Sequence, residues 1–326
     1  MAGTPMNGGS AATGLAADPF CMRHVPGHGH PECPQRYEAV IAGLEEAGLA
    51  EKLAHIPSRD ATRAELRLVH DSHYLDIAEH QIKEGAPELA TGDTAVCEAS
   101  WDAAVRAAGL VAAAVDAVMA GAVQNAFCAI RPPGHHATAN RGMGFCIFNN
   151  IAIAARHARQ AHGAERVLIV DWDVHHGNGT QDIFYEDPGV LFFSTHQWPF
   201  YPGTGRRSER GSGPGQGFTI NCPFPAGAGR AEILGAMRQE LEPAADRFRP
   251  DLVLVSAGFD SLAGDPLGGF LLAGEDLVEM TRLLLGIAAR HAQGRLVSLL
   301  EGGYNLSTLG PAAAAHVRAL MDGTPL

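Results

Sequence analysis

Residues 167–181 read VLIVDWDVHHGNGTQ. Four apolar, mostly β-branched residues run into Asp171, Asp173, His175 and His176, and then into glycines. A short apolar run closed by turn formers reads as a buried strand. Titratable groups gathered at its end therefore lie where a parallel sheet places its ligands. Similar runs recur at NAFCAI (125–130), VLFFS (190–194), DLVLVSAG (251–258) and RLVSLLEGG (295–303).

Helical spacing fills the intervals, over 147–162, 230–248 and 274–291, and earlier over 36–48 and an Ala-rich stretch at 94–120 that stops at Gly121. Thr62-x-x-Glu65 has the form of a capping box. Strands alternating with helices predict an α/β fold, a single domain with a largely parallel sheet and helices on both faces. Residues 1–18, small and polar, are expected to be a flexible lead-in to a domain over 19–326.

Composition narrows the function. With 46% hydrophobic residues and a net charge of −12, the chain can bury a core but lacks the basic footprint of a nucleic-acid binder. Its six cysteines show no CxxC spacing, and neither a secretory leader nor an apolar run of membrane length is visible. These features point to a reducing cytosol.

The chemistry collects after four of the strands, as RPPGHH, DWDVHH, GFDS and EGGY. Residues two apart on a strand face one way, so Asp171, Asp173 and His175 can project together if the extended backbone persists, and Asp260 supplies a further carboxylate. Two carboxylates and an imidazole make a three-ligand site for zinc with one open position, and such a site also accepts other divalent metals. The bland reading of Asp171 and Asp173, as caps of the following loop, loses to the number of converging partners. His135 and His136 suit proton transfer near neutral pH, with Asp171 and Asn178 as their acceptors. Tyr304, behind two glycines, can approach a substrate and stabilise an oxyanion.

In order along the chain, RPPGHHA, GFCIFNN, VDWDVHHGNGTQ, YPGTG, SAGFDSLAGDPLGGF and LEGGYN resemble the histone deacetylase and acetylpolyamine amidohydrolase family. Asn178 and LEGGYN are more similar to its class II branch. The resemblance implies an arginase/deacetylase-like fold with the active site at the C-terminal ends of the strands. It implies Zn2+ on Asp173, His175 and Asp260, with Fe2+ or Co2+ as substitutes, and His135, His136 and Tyr304 as catalytic groups. It also implies a structural K+ at Asp171, Ser194 and Thr195. A second monovalent site would use carbonyls near Phe184, Asp187, Val190 and Phe218, and His176 would ligate nothing.

For the substrate, the resemblance implies a tunnel walled by Gly144, Phe145 and Tyr201, with Leu267 at its gate. Arg36 either serves an internal acetate channel or pairs with a nearby carboxylate. The polyamine-selective branch has glutamate where Leu267 stands, so acetyl-lysine in peptides or proteins is the expected substrate and an acetylated small amine the alternative. The class II resemblance also implies that a homo-oligomer is possible, since relatives there include oligomers. Two other classes compete: an acyl-lysine-binding module without turnover, which would show a broken ligand set, and a two-metal ureohydrolase, which needs more bridging carboxylates. The Gly-rich 203–217 lacks a phosphate-binding motif and reads as a mobile surface loop.

Overall fold

The computed structural model describes residues 12–325. Eight strands form one sheet: β1 Thr13–Ala17, β2 Ala54–His55, β3 Asn125–Ala129, β4 Val167–Asp171, β5 Val190–Gln197, β6 Thr219–Phe224, β7 Leu252–Ala257 and β8 Leu296–Leu300. Their order is β2-β1-β3-β8-β7-β4-β5-β6, and every pairing is parallel. β3, β4, β7 and β8 are buried along their whole length, as expected for strands covered on both faces.

Among the described residues, ten α-helices accompany the sheet: α1 Gln35–Glu46, α2 Arg63–Leu66, α3 Ser72–Lys83, α4 Ser100–Met119, α5 Asn150–His162, α6 Asn178–Phe184, α7 Arg230–Ala236, α8 Glu242–Phe248, α9 Gly274–His291 and α10 Leu306–Asp322. α10 packs against both α1 and α9, and α4 packs against α3 and α5. The predicted capping box at Thr62 and Glu65 is present. None of the described helices is long and apolar enough to cross a membrane.

The sheet order explains the site. β3, β8, β7 and β4 are consecutive neighbours, so the four segments singled out above emerge side by side along one edge. Asp171 pairs in register with Ser194 of β5 and Ser256 of β7, which sets one row of polar residues across the strand ends.

Several expectations are corrected. The lead-in assigned to residues 1–18 reaches too far: Thr13–Ala17 is a strand paired with both β2 and β3, while residues 1–11 lie outside the described part. The helix expected from residue 94 begins at Ser100, because Leu89 N–H binds the Thr94 carbonyl and Val96 N–H the Pro87 carbonyl. The helix over 230–248 is interrupted by a π turn at Met237–Leu241, next to Pro243, which cannot donate a helical hydrogen bond. The 203–217 loop is fastened rather than free: Gly205 N–H binds Glu209 and Ser212 N–H binds the Tyr185 carbonyl.

Candidate active site

Asp173, His175 and Asp260 converge, with one ligand atom from each within 4.8 Å of the others. The extended backbone does not carry them there, since β4 ends at Asp171. Instead the chain folds over its own carboxylates: Asp173 N–H binds Asp171 Oδ1 at 3.1 Å and His175 N–H binds Asp173 Oδ1 at 2.9 Å. Val174 N–H then binds Asp260 Oδ1 at 3.0 Å, drawing in the loop after β7. Gly302 N–H, after β8, binds Asp173 Oδ2 at 2.8 Å. A Cβ on Gly302 would overlap both carboxylates, so only glycine lets that backbone approach.

The donor set suits a divalent ion. His175 Nδ1 lies 3.0 Å from Asp173 and 3.3 Å from Asp260 Oδ2, yet Asp260 Oδ2 is buried without a hydrogen-bond partner. Burial opposes charge on His175, but the two carboxylates outweigh it and hold its pKa up to about 10. Burial, then the neighbouring Asp173, pushes Asp260 up to about 7. Two buried carboxylates around one imidazole are electrostatically short of a cation, and the ligand types match a three-ligand zinc site.

The paired histidines follow β3. His135 Nδ1 is 2.9 Å from Asp171 Oδ2, and His136 Nδ1 is 2.8 Å from Asn178 Oδ1. Their rings stand 4.0 Å apart. Burial disfavours the charged form of both. For His135 the charge of Asp171 overcomes this and raises its pKa; His136, beside neutral Asn178 and facing His135 and His175, is held well below the usual range.

Above them a cavity of about 290 Å³ is lined by His136, Gly144, Phe145, His175, Tyr201, Leu267 and Tyr304, together with Asp93, Phe200 and Pro266. Phe145 has a positive φ of 68°, and a Cβ on Gly144 would overlap the His136 ring. Those two backbones bring the aromatic wall against the histidine pair. Asp265 supports the opposite wall, binding Tyr304 N–H at 2.7 Å and Leu267 N–H at 2.8 Å. Burial pushes the Tyr304 hydroxyl well above its usual pKa, keeping it a donor.

Arg36 does not line the cavity. Fully buried behind Tyr304, its guanidinium sits 4.9 Å from that ring, pairs with Glu32 at 3.1 Å and donates to the Gly303 and Glu301 carbonyls. His176 is occupied by Thr204 Oγ1 at 2.8 Å and Gln181 Oε1 at 3.1 Å. Ser194 Oγ lies 2.9 Å from His196 Nδ1, and Thr195 is buried.

Sequence reading missed several residues. Glu301 receives Gly134 N–H at 2.7 Å, His135 N–H at 3.2 Å and the Ser256 hydroxyl at 3.0 Å, tying the histidine loop to β8. Burial raises its pKa to about 7. The signal was present, since Glu301 opens the EGGY stretch. Glu32, held by Arg131 at 2.5 and 2.7 Å, lay within helical reach of Arg36 in the sequence, whereas the wall residues Asp93 and Phe200 carried no comparable mark.

A family model described as the histone deacetylase domain matches residues 30–320. The chain is 39% identical over 321 residues to "Histone deacetylase 10, chloroplastic" of Oryza sativa subsp. japonica, covering 93% of this chain and 72% of the rice protein. It is 43% identical to "Polyamine deacetylase HDAC10" of Mus musculus, over 90% of this chain but 45% of the mouse protein. Among solved structures, "Crystal Structure of HDA15 HD domain" superposes with a TM-score of 0.91 at 39% identity, covering 98% of this chain and 91% of that one. The cytosolic placement expected above is overturned by the rice relative, whose name is chloroplastic. A reduced-cysteine composition does not distinguish between such compartments.

Proposed function

The chain belongs to the histone deacetylase family, a family of hydrolytic deacetylases, and from that premise we propose a metal-dependent lysine deacetylase acting on acetyl-lysine in peptides or proteins. The observation that carries this reading is that Asp173 and Asp260 converge on His175, which lines the same cavity as His136 and Tyr304. These three would hold Zn2+, with Fe2+ or Co2+ as substitutes. A bound ion there supplies Lewis-acid polarisation of the amide carbonyl and a more acidic water.

The chain's own groups do the rest. His136, kept neutral by its surroundings, accepts the proton of the attacking water and returns it to the departing amine nitrogen, so that water and amide become acetate and amine. His135, charged through Asp171, supplies electrostatic support and holds the pair in place. The Tyr304 hydroxyl donates to the oxygen that becomes negative as the carbonyl turns tetrahedral. Asp171, Ser194 and Thr195, adjacent at the strand ends, would hold K+. Arg36 would act from behind Tyr304 on the acetate leaving the site.

Substrate choice rests on the walls. Gly144, Phe145, Phe200, Tyr201, Pro266 and Leu267 suit the apolar stem of an acyl-lysine, and Leu267 offers no carboxylate to a second ammonium. Acetylpolyamine is the second reading, favoured by Asp93 in the lining and by the mouse relative's name.

The test compares wild type with Tyr304→Phe, both zinc-loaded, on an acetyl-lysine peptide and on N8-acetylspermidine. We expect peptide turnover that falls roughly 10²-fold in the variant, the scale of losing one oxyanion donor. Preference for the polyamine would overturn the substrate and leave the chemistry. Metal-bound protein idle on both amides would overturn the proposal.

A further inference from the structure

Far from the cavity, the last turns of α4 and α5 assemble another donor set. Asp116 stands near the end of α4, and His162 is the final residue of α5, beyond His157. His157 Nε2 lies 2.6 Å and His162 Nε2 2.7 Å from the same oxygen, Asp116 Oδ1. All three ligand atoms fall within 4.8 Å of one another. We propose that Asp116, His157 and His162 form a peripheral site for a divalent transition metal of the zinc type, joining α4 to α5.

Two imidazoles and a carboxylate on one point are the ligand types that zinc takes. The surroundings orient them for it. Glu65 Oε1 lies 3.7 Å from His157 Nδ1, beyond hydrogen-bond distance but on the side of the ring away from Asp116, where a carboxylate favours the tautomer that leaves Nε2 free to bind. Arg59 approaches Asp116 Oδ2 at 3.5 Å, leaving Oδ1 to the histidines, and is itself held by Glu65 at 2.6 and 3.0 Å. Asp116 and Glu65 together outweigh that single guanidinium, so the carboxylates leave the cluster an excess of negative charge. Both helices also end here, and helix C-termini favour cations.

Access is open. The Asp116 and His162 side chains are 42% and 24% exposed while that of His157 is 11% exposed, so an ion can enter and keep a water as its fourth ligand. Ligands ~2.0–2.1 Å from a tetrahedral ion stand about 3.3 Å apart. The present contacts therefore open by roughly 0.6–0.7 Å as the ion replaces two hydrogen bonds. The rival explanation is a His–Asp–His ion pair that staples the helices without metal.

The experiment is equilibrium dialysis of the untagged full chain against micromolar ZnCl2, with zinc counted per chain by mass spectrometry and thermal midpoints recorded alongside. Wild type should carry one zinc more than His162→Gln, and its midpoint should rise with that extra equivalent. Deacetylase turnover should be the same in both, because His162 is remote from the cavity. Asp116→Asn, which keeps the side chain's size, should also lack the extra zinc and serves if His162→Gln folds poorly. Equal zinc counts in wild type and the variants would overturn the proposal in favour of the ion pair.

Discussion

Asp171 and Asn178 sit behind two adjacent histidines: the Asp171 charge raises the proton affinity of His135 above its ordinary value, whereas the Asn178 amide does not offset the burial of His136 and the nearby His135 and His175. A carboxylate beside His135 and a neutral amide beside His136 separate their proton affinities, which is how one pair can supply both a charge and a base. Asn178→Asp tests this. A carboxylate at 178 would stabilise the protonated form of His136, so a base that must be neutral becomes available only at higher pH. The acid limb of the kcat/KM profile should move up by about one pH unit, with metal content unchanged. An unmoved limb would mean that His136 is not the group that titrates there. The pairing was legible from sequence, because RPPGHH, Asp171 and Asn178 all stood in motifs at strand ends. Glu301 was less legible, since a lone glutamate does not announce that it anchors another segment's backbone.

At the scale of elements, the close approach of α1 and α10 positions the wall that carries Tyr304. α10 begins two residues after that tyrosine, and Arg36 of α1 reaches under it. The contact depends on Gly43, where a Cβ would overlap the Gly310 carbonyl, and on Gly310, where a Cβ would overlap the Ala39 carbonyl. Gly43→Ala should therefore destabilise the protein by about 1–3 kcal/mol, the usual cost of overpacking, and Gly310→Ala should do likewise. In the double variant the cost should be less than the sum, because one separation of the helices relieves both clashes. Thermal or urea unfolding of the three variants measures this, and full additivity would show that the sites are independent. Helix cores were easy to read from their spacing. Their ends were not, because residues 94–96 bond back across a local turn to residues 87–89 rather than follow their own helix propensity.

Over the whole molecule, buried neutral histidines make stability depend on acid. His70 accepts Asn149 N–H on Nε2 at 2.9 Å, and Asn149 in turn caps α5 and binds the Ala137 carbonyl. His316 lies between Thr281 at 2.7 Å and Ser298 at 2.8 Å. Burial lowers their pKa values to about 4 and about 3, against an ordinary value near ~6.5 in the unfolded chain. The unfolded state thus binds more protons below that value. The contribution of each histidine is fully present above about pH 6.5 and is lost as pH falls toward the folded value, roughly 3 kcal/mol for His70 and roughly 5 kcal/mol for His316. Unfolding midpoints should fall steadily between pH 7 and pH 4.5, with a shallower slope in His316→Gln. A flat profile over that window would contradict the account.

The sequence by itself determined the class of fold and pointed to the strand ends whose segments meet at the candidate site. Buried parallel strands must be continuously apolar, so the reactive residues that interrupt them stand out at their ends. Only the tertiary structure decided the neighbour relations. Strand order made β3, β8, β7 and β4 adjacent, although β3 and β8 lie far apart along the chain. β1, β2 and β6, short or mixed in character, belong to the sheet through the pairings they find rather than through any pattern of their own. Arg36 shows the same division: its pairing with Glu32, four residues earlier, was within reach of a sequence reading. Its place behind Tyr304 required the packing of α1 against α10, because contacts between distant segments are set by how the core fills and not by local spacing.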